Sequence, residues 1–188
     1  SRAFTPEDLL QLPGHGKGFE LVHGELKELD VSFLSSFVAG EVHGALREHV
    51  RPRRLGWVSP EGTSFRCFPD PKTIRRADAA FHLLSRVSAE QAQSEGFMSI
   101  VPDIVVEVVS PNDLSYEVEE KRIDWMDAGA KLVWIIYQEQ KTINVWRASG
   151  GMRPLKRPDR LTAEPVLPDF RVPVSELFQL PSDPIPTT

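Results

Sequence analysis

The chain's 188 residues, 40% hydrophobic and 26% charged, suit one globular domain with a sizeable core, and a net charge of −5 argues against indiscriminate nucleic-acid binding. No window nears the roughly 18 apolar residues of a membrane span, and the opening Ser-Arg-Ala-Phe-Thr-Pro has no signal-peptide core behind it, so a cytoplasmic location is expected. Cys67, the single cysteine, excludes an intrachain disulfide and a cysteine-built zinc site.

Thr5 stands before Pro6, Glu7 and Asp8, the pattern of an N-cap, a first-turn proline and acids at the positive end of a helix. The glycine-rich stretch 13–18 ends that helix. Without the Lys-Ser/Thr ending of a phosphate-binding loop, it reads as a connector. Residues 19–29 alternate around His23-Gly24, which predicts two short strands and a tight turn. Val38, Val42, Leu46 and Val50 recur at helical spacing over 35–50, and Pro52 is expected to stop that helix. Segments 57–59 and 62–68 read as an interrupted strand or a hairpin pair, and 69–72 as a turn. Residues 76–84 make a further strand that carries Asp78 among apolar neighbours. A short polar helix over 88–96 follows.

The run Val-Pro-Asp-Ile-Val-Val-Glu-Val-Val-Ser-Pro, 101–111, is the most informative part of the chain. Its β-branched content predicts a strand buried on both faces. Asp103, Val105, Glu107 and Val109 share one side of it. A buried carboxylate costs several kcal/mol, on the order of a lost ion pair, unless it is paired or bound to a metal. Asp103 follows a proline at the strand entrance and can shape the loop there. Glu107 sits mid-strand, where only chemistry or a specific partner explains it.

Residues 110–113 form a turn or cap, and 115–128 a helix that Gly129 terminates. Strands over 131–137 and 142–147 come next, joined by a charged turn. The proline-rich 167–174 reads as an edge element, 174–178 as a short helix and 181–188 as a disordered tail. The order predicts one α/β or α+β domain over 1–180, a mixed sheet with helices packed on it.

Asp78 and Glu107 lie on separate apolar strands; if those strands are neighbours, two oxygen ligands converge, a set that suits Mg²⁺. Lys121 lies on the following helix, where its first turns can fold back over the pair to orient or deprotonate a water or to stabilise phosphate charge. The bland readings are an edge-strand Glu107, an Asp78 paired with Arg75 or Arg76 at the surface, and a Lys121 paired with Glu117 one helical turn away.

The segments Phe-Glu-Leu-Val-His-Gly-Glu-Leu (19–26), Arg-Arg-Ala-Asp-Ala-Ala-Phe (75–81), 101–111, Glu-Lys (120–121), Ala-Gly-Ala-Lys-Leu-Val-Trp-Ile-Ile (128–136) and Leu-Pro-Asp-Phe (167–170) together resemble the Uma2 family. That family is a branch of the PD-(D/E)XK nuclease superfamily, and the resemblance runs from about residue 5 to residue 178. It implies a restriction-endonuclease-like fold, a mixed central β-sheet flanked by helices, and phosphodiester hydrolysis of nucleic acid, DNA foremost, with Mg²⁺ or Mn²⁺. By position, Asp78 and Glu107 are the implied metal ligands and Glu20 an auxiliary acid. The superfamily's usual lysine falls at Val109, so Lys121 is the implied migrated lysine. Many relatives carry a histidine near the start of the second helix; here Ser35-Ser-Phe-Val stands there, with His43 later. A homodimer is an open arrangement.

Two other classes stay open: a catalytically silent binding or assembly module on the same fold, and a metal-dependent hydrolase of another substrate. Arg51, Arg53 and Arg54 and the pairs and clusters at 75–76 and 153–160 read as solvated surface, with phosphate contact as the alternative. His15, His23, His49 and His82 have no ligand spacing. Trp125, Trp134 and Trp146 fall at core positions, whereas Trp57 is unassigned.

Overall fold

The computed structural model describes residues 2–184. Helix α1 (Pro6–Gln11) opens on a capping box in which Thr5 and Asp8 satisfy each other's backbone N–H groups. A 3-10 turn (Pro13–Gly16) leads to β1 (Phe19–Val22) and β2 (Glu25–Glu28), a hairpin around His23-Gly24. Helix α2 (Phe33–Arg53) is capped by Ser32 and buries Val38, Ala39, Val42, Leu46 and Val50 on one side. Pro52 does not stop it. The proline lies in the last turn, where it forfeits a single bond at an end that frays anyway, and Arg54 closes the helix in the left-handed conformation.

Next come β3 (Gly56–Pro60), β4 (Ser64–Phe65), β5 (Arg75–Arg76) and β6 (Ala79–Leu83). A 3-10 turn (Leu84–Arg86) and α3 (Ala89–Gln93) precede β7 (Ile104–Val109) and α4 (Ser115–Ala128). The chain continues as β8 (Leu132–Tyr137), β9 (Thr142–Arg147), β10 (Met152–Leu155), β11 (Arg160–Ala163), β12 (Leu167–Pro173) and α5 (Val174–Leu177). No helix among the described residues is long and apolar enough to cross a membrane.

Six strands form the central sheet in the order β10-β9-β8-β7-β6-β3. Only β7 and β8 are parallel, with α4 as the crossover between them; the other neighbours are antiparallel. Ile104, Val106 and Val108 face α2 and the β11–β12 pair, and Val105 and Val109 face α4, as side-chain alternation requires. The sheet is thus a mixed one, covered on both sides, in an α+β arrangement. Gly56 permits close pairing at the outer edge, since a methyl there would collide with the His82 carbonyl.

Three expected elements take a different form. The strand over 76–84 breaks at Asp78, so β5 pairs with β4 and β6 with the main sheet. Strands β10 and β11 have no counterpart in the sequence reading, because they are short and polar and β10 contains Pro154, which an edge strand tolerates. Segment 167–173, expected as an edge element, forms one strand of a separate two-stranded pair with β11. At the C-terminus, residues 181–184 begin with a turn closed by Asp183 N–H on the Leu180 carbonyl (2.9 Å), and 185–188 of the expected tail lie outside the described residues.

Candidate active site

Strand β7 presents Glu107 toward α4. There its Oε1 accepts a 2.6 Å hydrogen bond from Trp125 Nε1–H, and its Oε2 lies 2.8 Å from Lys121 Nζ. Trp125 is fully buried against Phe65 and Phe68, so its indole is a fixed donor. Lys121 and Trp125 are four residues apart and therefore share a face of α4. One helix face grips both oxygens of the strand carboxylate.

Asp78 occupies the break between β5 and β6. The β6–β7 register pairs Ala79 with Val106 and Ala80 with Val105, so one step further sets Asp78 opposite Glu107. The Asp78 N–H still donates to the Val106 carbonyl at 3.0 Å. Its side chain then takes over from the backbone: Oδ2 accepts from Val108 N–H at 2.6 Å, which leaves Oδ1 for another partner. The sheet opens at this point, and a carboxylate fills the opening.

Glu20 reaches the same place from β1. Its Oε1 accepts from Arg76 N–H at 2.6 Å and lies 2.9 Å from Lys121 Nζ, while its Oε2 pairs with Arg75 Nη1 at 3.1 Å. Lys121 therefore bridges Glu20 and Glu107. Glu117, the helical neighbour that could have held Lys121, pairs with Lys27 instead. Arg75 and Arg76 are buried, not solvated. Arg75 ties Glu20 to Glu120 and Asp124 on α4, and Arg76 donates to the carbonyls of Phe19, Gly62 and Gly16.

The electrostatics are unequal. Burial pushes the Glu107 carboxyl up to about 8, against the pull of Lys121 and with the repulsion of Asp78 and Glu20 added. Burial likewise raises Asp78 to about 6, opposed by Lys121 and the Val108 bond and reinforced by Glu61 and Glu20. For Glu20, burial also pushes upward, but Lys121 and Arg75 outweigh it and hold the group below its ordinary range. Burial works against the Lys121 charge, yet Glu107, Glu20 and Asp78 prevail and raise its pKa, so the amine stays protonated. The cluster holds more buried negative charge than its cations neutralise.

All four side chains line a cavity of about 550 Å³. Its mouth is formed by the β2–α2 and β7–α4 loops, tied by Asn112 Nδ2 donating to Asp30 Oδ2 at 2.6 Å. The glycine-rich connector borders it through Lys17 and Gly18. Ser35 and Ser110, also in the wall, are joined by a 3.2 Å hydrogen bond, and His43 is not part of it. No three His, Cys, Asp or Glu side chains among the described residues form a ready metal cluster. The donor set is nonetheless one a hard dication accepts: Asp78 has a spare oxygen, and each Glu107 oxygen keeps a second lone pair. The sequence reading missed Arg75, Arg76 and Trp125 as parts of this site. The only available signal was the sharing of a helix face by Lys121 and Trp125.

Comparison with known proteins agrees with this picture. A crystal structure described as a putative nuclease belonging to DUF820, from Anabaena variabilis, superposes with a TM-score of 0.76 at 19% sequence identity, covering 93% of this chain and 97% of that one. The two share a fold. No curated protein matches the sequence. The model of the Uma2 family, described as "Putative restriction endonuclease", matches residues 6–175, nearly the whole chain. The chain belongs to the Uma2 family.

Proposed function

We propose that this protein is a divalent-metal-dependent endonuclease that hydrolyses phosphodiester bonds of nucleic acid, DNA foremost. The observation that carries the reading is the set of three carboxylates, buried Glu20 and Glu107 and half-buried Asp78, on one cavity with a single lysine bridging two of them. Two of the three are pushed up, chiefly by burial, so both gain by meeting a cation. Asp78 and Glu107 would hold Mg²⁺ or Mn²⁺, with waters completing the shell. When bound, such an ion supplies a more acidic water and neutralises charge on a phosphoryl oxygen. Lys121, held protonated, orients Glu107 and offers positive charge to the pentavalent phosphorus centre; it does not abstract a proton. Glu20 fixes Lys121 from the other side. Membership of the Uma2 family supports the assignment.

One observation favours a second reading, a metal-dependent hydrolase of a smaller or less charged substrate. The cavity wall also carries Glu28, Asp30, Glu61, Asp113, Glu117 and Glu120, which oppose a polyanion. Purified protein with Mg²⁺ or Mn²⁺ and labelled DNA or RNA decides the matter. Cleavage is expected, lost on chelation and lost in Glu107→Gln with its circular dichroism unchanged. Equal cleavage by wild type and variant, or none by either, overturns the assignment. Turnover of a small phosphodiester without polymer cleavage selects the second reading.

A further inference from the structure

Strand β3 is the last of the central sheet on its side, and its outer edge is unpaired. The C-terminal turns of α2 lie beside it. Between them runs a groove of about 320 Å³, lined by Arg47, Arg51, Arg54, Trp57 and Leu84 together with apolar Val50 and Val58. The three arginines are exposed, and none forms an ion pair among the described residues, whereas Arg75, Arg86 and Arg122 each have carboxylate partners. Trp57 is 42% exposed, while Trp125 and Trp134 are fully buried. Cations at a helix C-terminus complement its dipole, which accounts for Arg51. That effect reaches neither Arg47, a turn further back, nor an indole left in water at a sheet edge.

We propose that this groove is a second nucleic-acid contact, with the arginines on the phosphates of a single strand and Trp57 against one of its bases. Uncompensated guanidinium groups on a chain of net charge −5 select a polyanion. An exposed indole selects an unpaired base, because a duplex keeps its base faces stacked. The ligand class rests on the nuclease reading, but the groove shares no residue with the catalytic cavity. Ser35 lines that cavity and Arg51 this groove, so the helix between them separates the two by about 24 Å of rise. The groove would therefore hold substrate several nucleotides from the reacting phosphate.

The test is binding of a labelled oligothymidylate and of a matched duplex, in chelator, across a salt series. The proteins are wild type, Trp57→Ala and a triple variant, Arg47→Gln, Arg51→Gln and Arg54→Asn, each checked by circular dichroism. Asparagine suits the left-handed backbone at Arg54. Wild type is expected to prefer the single strand. The triple variant should flatten the slope of log affinity against log salt by about 2, the value for three lost single-strand phosphate contacts. Trp57→Ala should weaken binding by roughly tenfold, as for one lost stacked base. The oligonucleotide should also shield wild-type fluorescence from iodide. Patch variants that bind as wild type, or an unchanged iodide response, overturn the inference and leave the catalytic reading intact if wild type still cleaves. Patch-dependent binding by a protein that cleaves nothing sustains the inference and removes the catalytic reading.

Discussion

At Glu107, two donors from one helix fix a carboxylate that would otherwise be a liability in the core, and each donor can be removed separately. Lys121→Met keeps the length of the side chain and removes its charge. Cleavage should fall by roughly 10²-fold or more, the scale of a lost electrostatic group, with metal binding retained by calorimetry. A decrease below threefold would return Lys121 to the status of a surface residue. Trp125→Phe preserves the aromatic contact with Phe65 and Phe68 and deletes only the Nε1–H donor. A hydrogen bond to a charged group contributes about 1.5–3 kcal/mol, so a drop of roughly tenfold or more in kcat with KM little changed is expected. The sequence displayed the acids and the lysine but not their holders. Arg75 looked like half of a solvated pair because nothing in its neighbours announces Asp124, which lies 2.6 Å away from the far end of the chain's middle third.

Asp103 shows how much of an element's position rests on one side chain. It is fully buried at the entrance to β7, with Oδ2 accepting from Leu83 N–H and Oδ1 facing Arg86 at 3.0 Å and Lys131 at 2.9 Å. Its backbone also joins Phe81 and Leu132, so β6, β7 and β8 all meet at this residue. Burial works to raise its carboxyl, but the Leu83 N–H, Lys131 and Arg86 outweigh it and depress it below the ordinary value. A depressed acid stabilises the fold above its unfolded pKa, near 4 by the usual Asp value, and loses that contribution as pH falls through the folded value. Asp103→Asn should thus cost about 1–3 kcal/mol in denaturant unfolding at neutral pH, and the gap from wild type should narrow at acid pH, as pH falls through the depressed folded value. An equal gap at both pH values would exclude the charge as the cause. The strands flanking this residue were legible because their apolar runs are long and β-branched. β10 and β11 were not, since four residues, in β10 interrupted by a proline, are too few to carry a period of their own.

Across the whole molecule, the candidate catalytic set is drawn from β1, the β5–β6 break, β7 and α4, elements spread over a hundred residues of chain. The sequence revealed the composition of that set, and the family likeness its membership; only the sheet order brings Asp78 opposite Glu107. Helix α4 is held more by ion pairs than by apolar burial. Trp125 is its only fully buried side chain, and its outer face is charged. Native-state hydrogen exchange should show α4 amides opening at lower free energy than those of β7 and β8, and activity in mild denaturant should decline with α4 rather than with global unfolding. Coincident loss of all three would refute a separate α4 step. Because the lysine stands on this helix and not on the strand beside the acids, undocking of α4 would remove Lys121 and the Trp125 indole in one motion. What remains is Glu20, still held by Arg75 and Arg76, beside Asp78 and Glu107 without their lysine. On the proposed function, a chain in which α4 has not docked is then without a working centre, so that hydrolysis is confined to the finished fold.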